Sequence, residues 1–178
     1  LKQTVQYELT ALAILALAII SIAKLGAVGE AAVLFFRFWM GEWYMLSLIG
    51  LVILSVYLMW KRTIPFVFHI KLIGTYLIVS SILLLSHVTL FHLLTNDGNF
   101  KNPSVISSTW EIFMMEVRGE TSTIDLGGGM IGAVLFAMFH YLFAETGTKI
   151  IAFIFILIGF ILLTGKSFGD FIAKIGTT

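Results

Sequence analysis

Long apolar runs dominate the chain, and their length decides its fold class. They lie at about residues 8–24, 43–60, 72–94 and 149–165, and each approaches the roughly 20 residues that a helix needs to cross a bilayer. Hydrophobic residues make up 59% of the chain and charged residues 12%, against about 25% charged in soluble domains. The sequence therefore predicts an all-α integral membrane protein with four transmembrane helices in a single domain, residues 1–178.

Two shorter apolar segments, at about residues 27–41 and 127–144, leave a choice between four and six spans. The first contains Glu30 and Arg37, and its apolar residues contribute roughly −3 kcal/mol to insertion while a mid-helix arginine costs about +3. Four spans also place the basic loop at residues 61–71 in the cytoplasm, as the positive-inside rule requires, whereas six would invert it. We expect four spans, with the two short helices dipping in from the outer face or lying in its interface.

An internal repeat is a second feature of the sequence. An offset of 103 residues aligns residues 28–42 with a later segment, so that Arg37 falls opposite His140 and Glu42 opposite Glu145. Each half then consists of a membrane helix, a glycine turn, an outer-face or re-entrant helix and another membrane helix. This predicts two parallel repeats. Chance alignment of two segments rich in glycine and phenylalanine is the alternative.

The long polar loop predicts an amphipathic helix at about residues 103–117, because proline at position 103 suits a first helical turn. Apolar side chains recur on one face at helical spacing: Trp110, Phe113, Met114 and Val117. Such a helix either lies on the membrane or covers the outer-face helices.

Ionisable residues in or beside the apolar segments are the candidate site residues. They are Glu30, Arg37, Glu42, His87, His140 and Glu145. If the repeat is real, Arg37 and His140 occupy equivalent places and form a polar group that could serve a proton or solute path. The alternative, which we favour, is that these side chains satisfy backbone carbonyls or one another and fix helix packing.

The triplet Gly127–Gly129 has two interpretations. It could form an anion-binding nest at a helix start. Asp125 just before it argues for a capped tight turn instead, because its carboxylate is placed to accept from the same N–H groups. The spacing of Gly128 and Gly132 is also typical of close helix packing in membranes. We favour the turn.

The stretch GFILLTGKS at residues 159–167 nearly matches a nucleotide-binding P-loop. However, five residues rather than four separate its two glycines, and it closes an apolar run instead of following a strand. We interpret it as the end of a membrane helix, with Lys166 at the headgroups. The sequence contains no cysteine and no cluster with metal-ligand spacing. We expect no catalytic residue, no cofactor and no metal in this chain, and no enzyme activity.

Several stretches together resemble the N-terminal membrane domain of the FtsK/SpoIIIE DNA translocases, especially the SpoIIIE-like proteins of Bacillus-type bacteria. They are LFFRFWMGEW, SSILLLSHVTLF, SSTWEIFMM, DLGGGMIGAVLFAMFHYLFAETGT and ILLTGKSF. The matching positions expected to matter structurally are Arg37, Gly41, Glu42, Trp43, His87, Trp110, Glu111, Asp125 and Gly127–Gly129.

The resemblance implies a plasma-membrane domain with both termini in the cytoplasm. It would anchor a hexameric ATP-driven motor at the division septum, which moves chromosomal DNA through the closing septum in division or sporulation. Copies of the chain, septal proteins and DNA are the implied partners, besides the lipid bilayer. ATP and Mg²⁺ belong to the family's C-terminal motor, which these 178 residues do not contain.

A different class of function is the alternative. A small transporter or channel would use Arg37, His87 and His140 in a polar site between the two repeats. A membrane-embedded hydrolase is a weaker possibility, because the sequence lacks a nucleophile with its base.

Overall fold

The computed structural model of the chain describes residues 2–96, 104–120, 125–166 and 169. In this part of the chain every regular element is helical, which confirms the all-α prediction. The elements are α1 (Gln3–Ile22), α2 (Gly26–Met40), a 3₁₀ turn (Gly41–Trp43), α3 (Tyr44–Lys61), α4 (Ile70–Asn96), α5 (Val105–Val117) and α6 (Gly129–Thr164).

Four helical stretches are long and apolar enough to cross a membrane, as predicted. They are Gln3–Ile22, Gly26–Lys61, Ile70–Thr95 and Gly129–Thr164. The second stretch is broken at Gly41, where φ is 58°, and the fourth at Ala144, where φ is 53° and ψ is −175°. The segments expected at residues 27–41 and 127–144 therefore exist as separate helical arms before each break. That these arms do not cross the membrane stays a prediction.

The break at Ala144 folds α6 into a hairpin. Phe139 on the first arm, residues 129–143, contacts Phe155 on the second arm, residues 145–164, with ring centroids 5.7 Å apart. The first arm runs in the same direction as α4 and the second runs back along it. The pairs that establish these directions are Leu83–Gly128, Phe91–Phe136, His92–Glu145 and Gly74–Gly159.

The two breaks fall at equivalent positions of the predicted repeat, since Gly41 and Ala144 are 103 residues apart. A glutamate follows each break directly, Glu42 in the first half and Glu145 in the second. The connections differ, because a 3₁₀ turn follows Gly41 whereas helical hydrogen bonding resumes directly after Ala144. The positions of the breaks agree with a repeat, which itself stays a prediction.

The helices form two units that meet mainly at one place. In the first unit α1, α2 and α3 contact one another, and the hydroxyl of Ser55 donates to the carbonyl oxygen of Ala11 at 2.9 Å. In the second unit α6 packs on α4, and α5 packs mainly on α6, around a buried apolar cluster. Its members are Leu84, Val88, Val105, Ala133, Phe136 and Ala152. The units meet where α2 and the 3₁₀ turn contact the start of α6, and we call this place the junction.

Charge is distributed unequally along the bundle. The end that contains the start of α1, the end of α3, the start of α4 and the end of α6 is called the basic end here. Its charged residues in the described part of the chain are Lys2, Lys61, Arg62, Lys71, Lys166 and Glu8. The remaining described charges, which we assign to the acidic end, are Lys24, Arg37, Arg118, Lys149, Glu30, Glu42, Glu111, Glu116, Glu120, Asp125 and Glu145.

Two glycines let α4 and the second arm of α6 approach each other closely. A methyl group added at Gly74 would lie 2.6 Å from the carbonyl oxygen of Gly159, and one added at Gly159 would lie 2.7 Å from that of Gly74. Real Cβ atoms do not approach backbone oxygen so closely, so any side chain here forces the helices apart. Small residues at helix interfaces allow such packing in membranes.

We predict that Gly159→Ala lowers the thermal midpoint of the chain in mild detergent, because overpacking costs about 1–3 kcal/mol. Gly50→Ala is the matched control, since Gly50 is also helical but a Cβ there meets no atom within 4 Å. The control should leave the midpoint unchanged or raise it, because alanine is favoured over glycine in helices by about 1 kcal/mol. Equal midpoints for the two variants would contradict this close approach.

Candidate functional site

Arg37 is the centre of the junction. Its guanidinium forms a forked ion pair with Glu42, with Nη2 2.7 Å from Oε1 and Nη1 3.2 Å from Oε2. Its Nε lies 2.6 Å from Oε1 of Glu116 on α5, and Tyr44 lies against it with the ring centroid 5.4 Å from the guanidinium carbon. One side chain, only 19% exposed, therefore joins α2, the 3₁₀ turn and α5.

The backbone closes the junction beside this ion pair. The N–H of Glu42 donates to the carbonyl oxygen of Gly127 at 3.0 Å. Gly41 and Gly129 face each other, both with positive φ, and a methyl group on Gly129 would lie 2.7 Å from the backbone nitrogen of Met40. Only residues without a Cβ fit both the conformation and the space, which explains the glycines at these two positions.

His87 of α4 holds the start of α6. The N–H of Gly128 donates to Nδ1 of His87 at 3.0 Å. Because Nδ1 accepts, the neutral ring carries its proton on Nε2, which donates to Oγ1 of Thr109 at 2.9 Å. The hydroxyl of Thr109 in turn donates to the carbonyl oxygen of Val105 at 2.7 Å. His87 and Thr109 are buried, so this chain of hydrogen bonds satisfies polar groups that lie away from water.

Asp125 does not cap α6, contrary to the sequence prediction. Gly128 is the N-cap residue of α6, and no side chain from a neighbouring residue caps the helix there. The reason is that α4 passes directly beside it and supplies the imidazole of His87, which is 41 residues away in sequence. Asp125 is exposed instead. It lines a cavity of about 220 Å³ with Arg37, Glu42, Ile112, Glu116, Glu120 and Leu126.

His140 does not join Arg37, so the predicted polar group is divided. The ring of His140 stacks on Phe136 with centroids 5.0 Å apart and lies 5.1 Å from the ring of Phe91. Its Nδ1 has no hydrogen-bond partner among the described residues. It faces a second cavity of about 260 Å³, lined also by Phe91, Ser104, Val105, Ile106, Phe136 and Ala137.

Glu145 forms a third, separate cluster next to the break in α6. Its Oε1 lies 2.6 Å from Nε2 of His92 and 2.6 Å from Nζ of Lys149. The contact with His92 ties the start of the second arm to the end of α4. Glu30, another predicted site residue, is exposed on α2 and is not among the groups that bind Arg37.

Helix α5 packs on the bundle through a buried face and through part of the predicted apolar face. The helix begins at Val105, and proline 103 lies outside the described residues. The face against the protein carries Val105, Thr109 and Ile112. On the predicted face, Trp110 and Val117 are about half exposed. The rings of Trp110 and Phe113 contact Phe38 of α2, with centroids 5.9 and 5.1 Å away. Helix α5 therefore has apolar residues on two faces, of which one is buried in the second unit and the other contacts α2 through Trp110 and Phe113. Glu111 is exposed.

The chemistry of the junction is that of ion pairs and hydrogen bonds. In the described part of the chain no group of three or more His, Asp or Glu residues is arranged to hold a metal ion. The stretch that resembled a P-loop is a helix end, because Gly165 terminates α6 in the left-handed conformation with φ of 67°. Lys166 follows it directly, and residue 167 lies outside the described residues.

Comparison with known proteins establishes the relationship of the chain. Over 170 residues it is 48% identical to DNA translocase SpoIIIE of Bacillus subtilis (strain 168), an alignment that covers 96% of this chain. The chain is homologous to the N-terminal part of the FtsK/SpoIIIE DNA translocases. DNA translocase FtsK of Bacillus cereus is 46% identical over 99% of the chain, and that of Halalkalibacterium halodurans is 45% identical over 94%.

The chain spans about a fifth of the length of these relatives, since the alignments cover 22%, 22% and 21% of them. This region of the FtsK/SpoIIIE relatives is therefore only a part of the longer translocase. No family model matches the chain. No solved structure matches it either.

We predict that Glu116→Gln weakens the attachment of α5 at the junction and lowers the thermal midpoint. The pair is partly exposed, so its coupling to Arg37 should be about 0.5–1 kcal/mol in a double-mutant cycle with Arg37→Gln. Glu111→Gln, an exposed change on the same helix, is the control and should have no measurable effect. If Glu116→Gln and Glu111→Gln have the same thermal midpoint, Glu116 does not stabilise the junction through Arg37.

We also predict that His87→Ala exposes the amide of Gly128, because no side chain then accepts from it. Hydrogen exchange at Gly128 should accelerate, and stability should fall by about 1–3 kcal/mol. His69 provides the control, since its Nδ1 accepts from the N–H of Lys71 at 3.3 Å but is exposed. His69→Ala should leave the midpoint unchanged. Unchanged exchange at Gly128 in His87→Ala would contradict the proposed hydrogen bond.

Proposed function

We propose that this chain is the membrane-anchoring, septum-localising and assembly region of an ATP-driven DNA translocase. The whole protein would move chromosomal DNA through a division or sporulation septum. The observation that carries the proposal is the homology, which runs along 96–99% of this chain but covers only 22% of relatives named DNA translocase. The four candidate membrane spans in the same region support an anchoring role.

The distribution of charge supports an orientation. The basic end carries five basic residues and one acidic residue in the described part of the chain. By the positive-inside rule this end faces the cytoplasm, with the starts of α1 and α4 and the ends of α3 and α6. The junction, α5 and the Glu145 cluster then face outward. A motor attached beyond α6 would lie in the cytoplasm, where it would bind ATP and Mg²⁺ and act on DNA.

The transporter alternative receives little support from the geometry. It requires Arg37, His87 and His140 to share a polar site. Arg37 binds Glu42 and Glu116, His87 binds Gly128 and Thr109, and His140 stacks on Phe136 instead. Side chains with separate, mostly structural partners suit an anchor better than a solute path.

Assembly of several copies is part of the proposal. Large apolar side chains are exposed on α1, α3 and the second arm of α6, where lipid or neighbouring copies would cover them. In the family that the sequence resembles, the assembly is a hexamer. Proteins of the septum would contact the outward-facing α5, whose exposed side chains include Trp110 and Glu111.

The localisation is tested with a fluorescent fusion of the chain in a Bacillus-type cell. We predict that its intensity at the septum, divided by the lateral-wall intensity, exceeds the same ratio for a lipophilic membrane dye. The dye is essential because the septum contains two closely spaced membranes and doubles the signal of any membrane protein. An unrelated four-span protein with the same fluorophore should match the dye.

The assembly is tested by native mass spectrometry of the chain in nanodiscs. A hexameric mass would support the view that the membrane region itself encodes the ring. A chain that is strictly monomeric and distributes like the dye would count against the proposal as a whole. A monomer that still concentrates at the septum would confine its role to anchoring and localisation.

A further inference from the structure

The last turn of α3 and the connection to α4 expose an unusual set of large apolar side chains at the basic end. Their exposed fractions are 80% for Trp60, 76% for Ile64, 70% for Phe66 and 72% for Phe68. The rings of Phe66 and Phe68 lie next to each other, with centroids 6.1 Å apart. Large exposed apolar side chains grouped in this way are typical of a site of interaction with a membrane or another molecule. We therefore expect another molecule, and not water, to cover these four side chains.

The fold holds this connection at the level of the bilayer surface. Helix α3 ends at Lys61 and α4 begins at Ile70, and both belong to candidate spans. The segment between them is compact, because Arg62 ends α3 in the left-handed conformation and the N–H of His69 donates to the carbonyl oxygen of Phe66 at 3.0 Å. A short folded connection between two spans stays within the interfacial region, where aromatic rings are favoured.

Positive charge surrounds the aromatic side chains. Lys61, Arg62 and Lys71 flank the connection and are all exposed. Arg62 shares its charge with Glu8, 2.8 Å away on α1. In the sequence no acidic residue occurs between positions 42 and 97, so no acidic residue of this stretch balances the two lysines. A basic surface with exposed aromatic rings is complementary to a leaflet that carries anionic headgroups.

We propose that residues 60–71 form a docking surface for anionic phospholipid. The rings of Phe66 and Phe68 insert below the headgroups, with the ring of Trp60 beside them. Lys61 and Lys71 lie at the level of the phosphates and select negatively charged lipid. This property goes beyond anchoring, because it gives the chain a preference among membranes of different composition.

The lipid preference is tested on the whole chain in nanodiscs of mixed phosphatidylglycerol and phosphatidylcholine. After partial removal of lipid, native mass spectrometry counts the molecules of each lipid that remain bound. The double variant Lys61→Gln/Lys71→Gln should lower the ratio of retained phosphatidylglycerol to phosphatidylcholine by about fivefold for each charge removed. Lys24→Gln/Arg118→Gln removes two exposed positive charges from the acidic end and should keep the original ratio.

The insertion depth is tested separately, since the sequence has no cysteine and Phe68→Cys introduces a unique label site. A fluorophore at that position should be quenched by brominated lipid and not by aqueous iodide. The variant Phe66→Ser/Phe68→Ser should weaken lipid retention without lowering the thermal midpoint, because these rings contact each other and not the core. Equal lipid ratios in all variants would overturn the proposal. A label at position 68 that is quenched only by iodide would also overturn the proposal. Binding of a protein partner to this surface in place of lipid would overturn it as well.

Discussion

The contact between two glycine-containing turns, Gly41 and Gly127–Gly129, determines how the rest of the chain is arranged. It brings the end of α2 against the start of α6, and these helices belong to different units of the bundle. Arg37 reaches Glu116 only because the turns meet there. Polar groups placed deep in a membrane protein are costly unless they are paired, so the ion pair and the His87 hydrogen bonds make the contact specific.

Much of the fold was predictable because its signals are local. The lengths of the apolar runs predicted the four candidate spans. The charged residues Glu30 and Arg37 indicated that α2 is a distinct segment. The resemblance to the FtsK/SpoIIIE family agreed with the homology that the comparisons show. The helix end at Gly165 also followed from the sequence, since a P-loop requires a strand before it and a different spacing.

The partners in the site were less predictable, because each pair is distant in sequence. The bond from Gly128 to His87 replaced the expected cap from Asp125, and nothing in the local pattern indicates that α4 passes there. Thr109 and Glu116 were not predicted, because the apolar spacing in the α5 segment indicates a different helix face. Their spacing of seven residues puts both on one helix face, and this polar pair was the available signal.

The backbone of Ala144 has a mechanical consequence. Ala144 has φ of 53° and ψ of −175°, a region populated almost only by glycine that costs other residues on the order of 1–3 kcal/mol, so the bend between the arms of α6 is strained. Without the bend, α6 would be one continuous helix of 36 residues, about 54 Å long. That length exceeds the roughly 40–45 Å of a whole bilayer, so straightening would push apolar side chains into water. The thickness of the membrane and the contacts of Glu145 therefore both favour the bent form of α6.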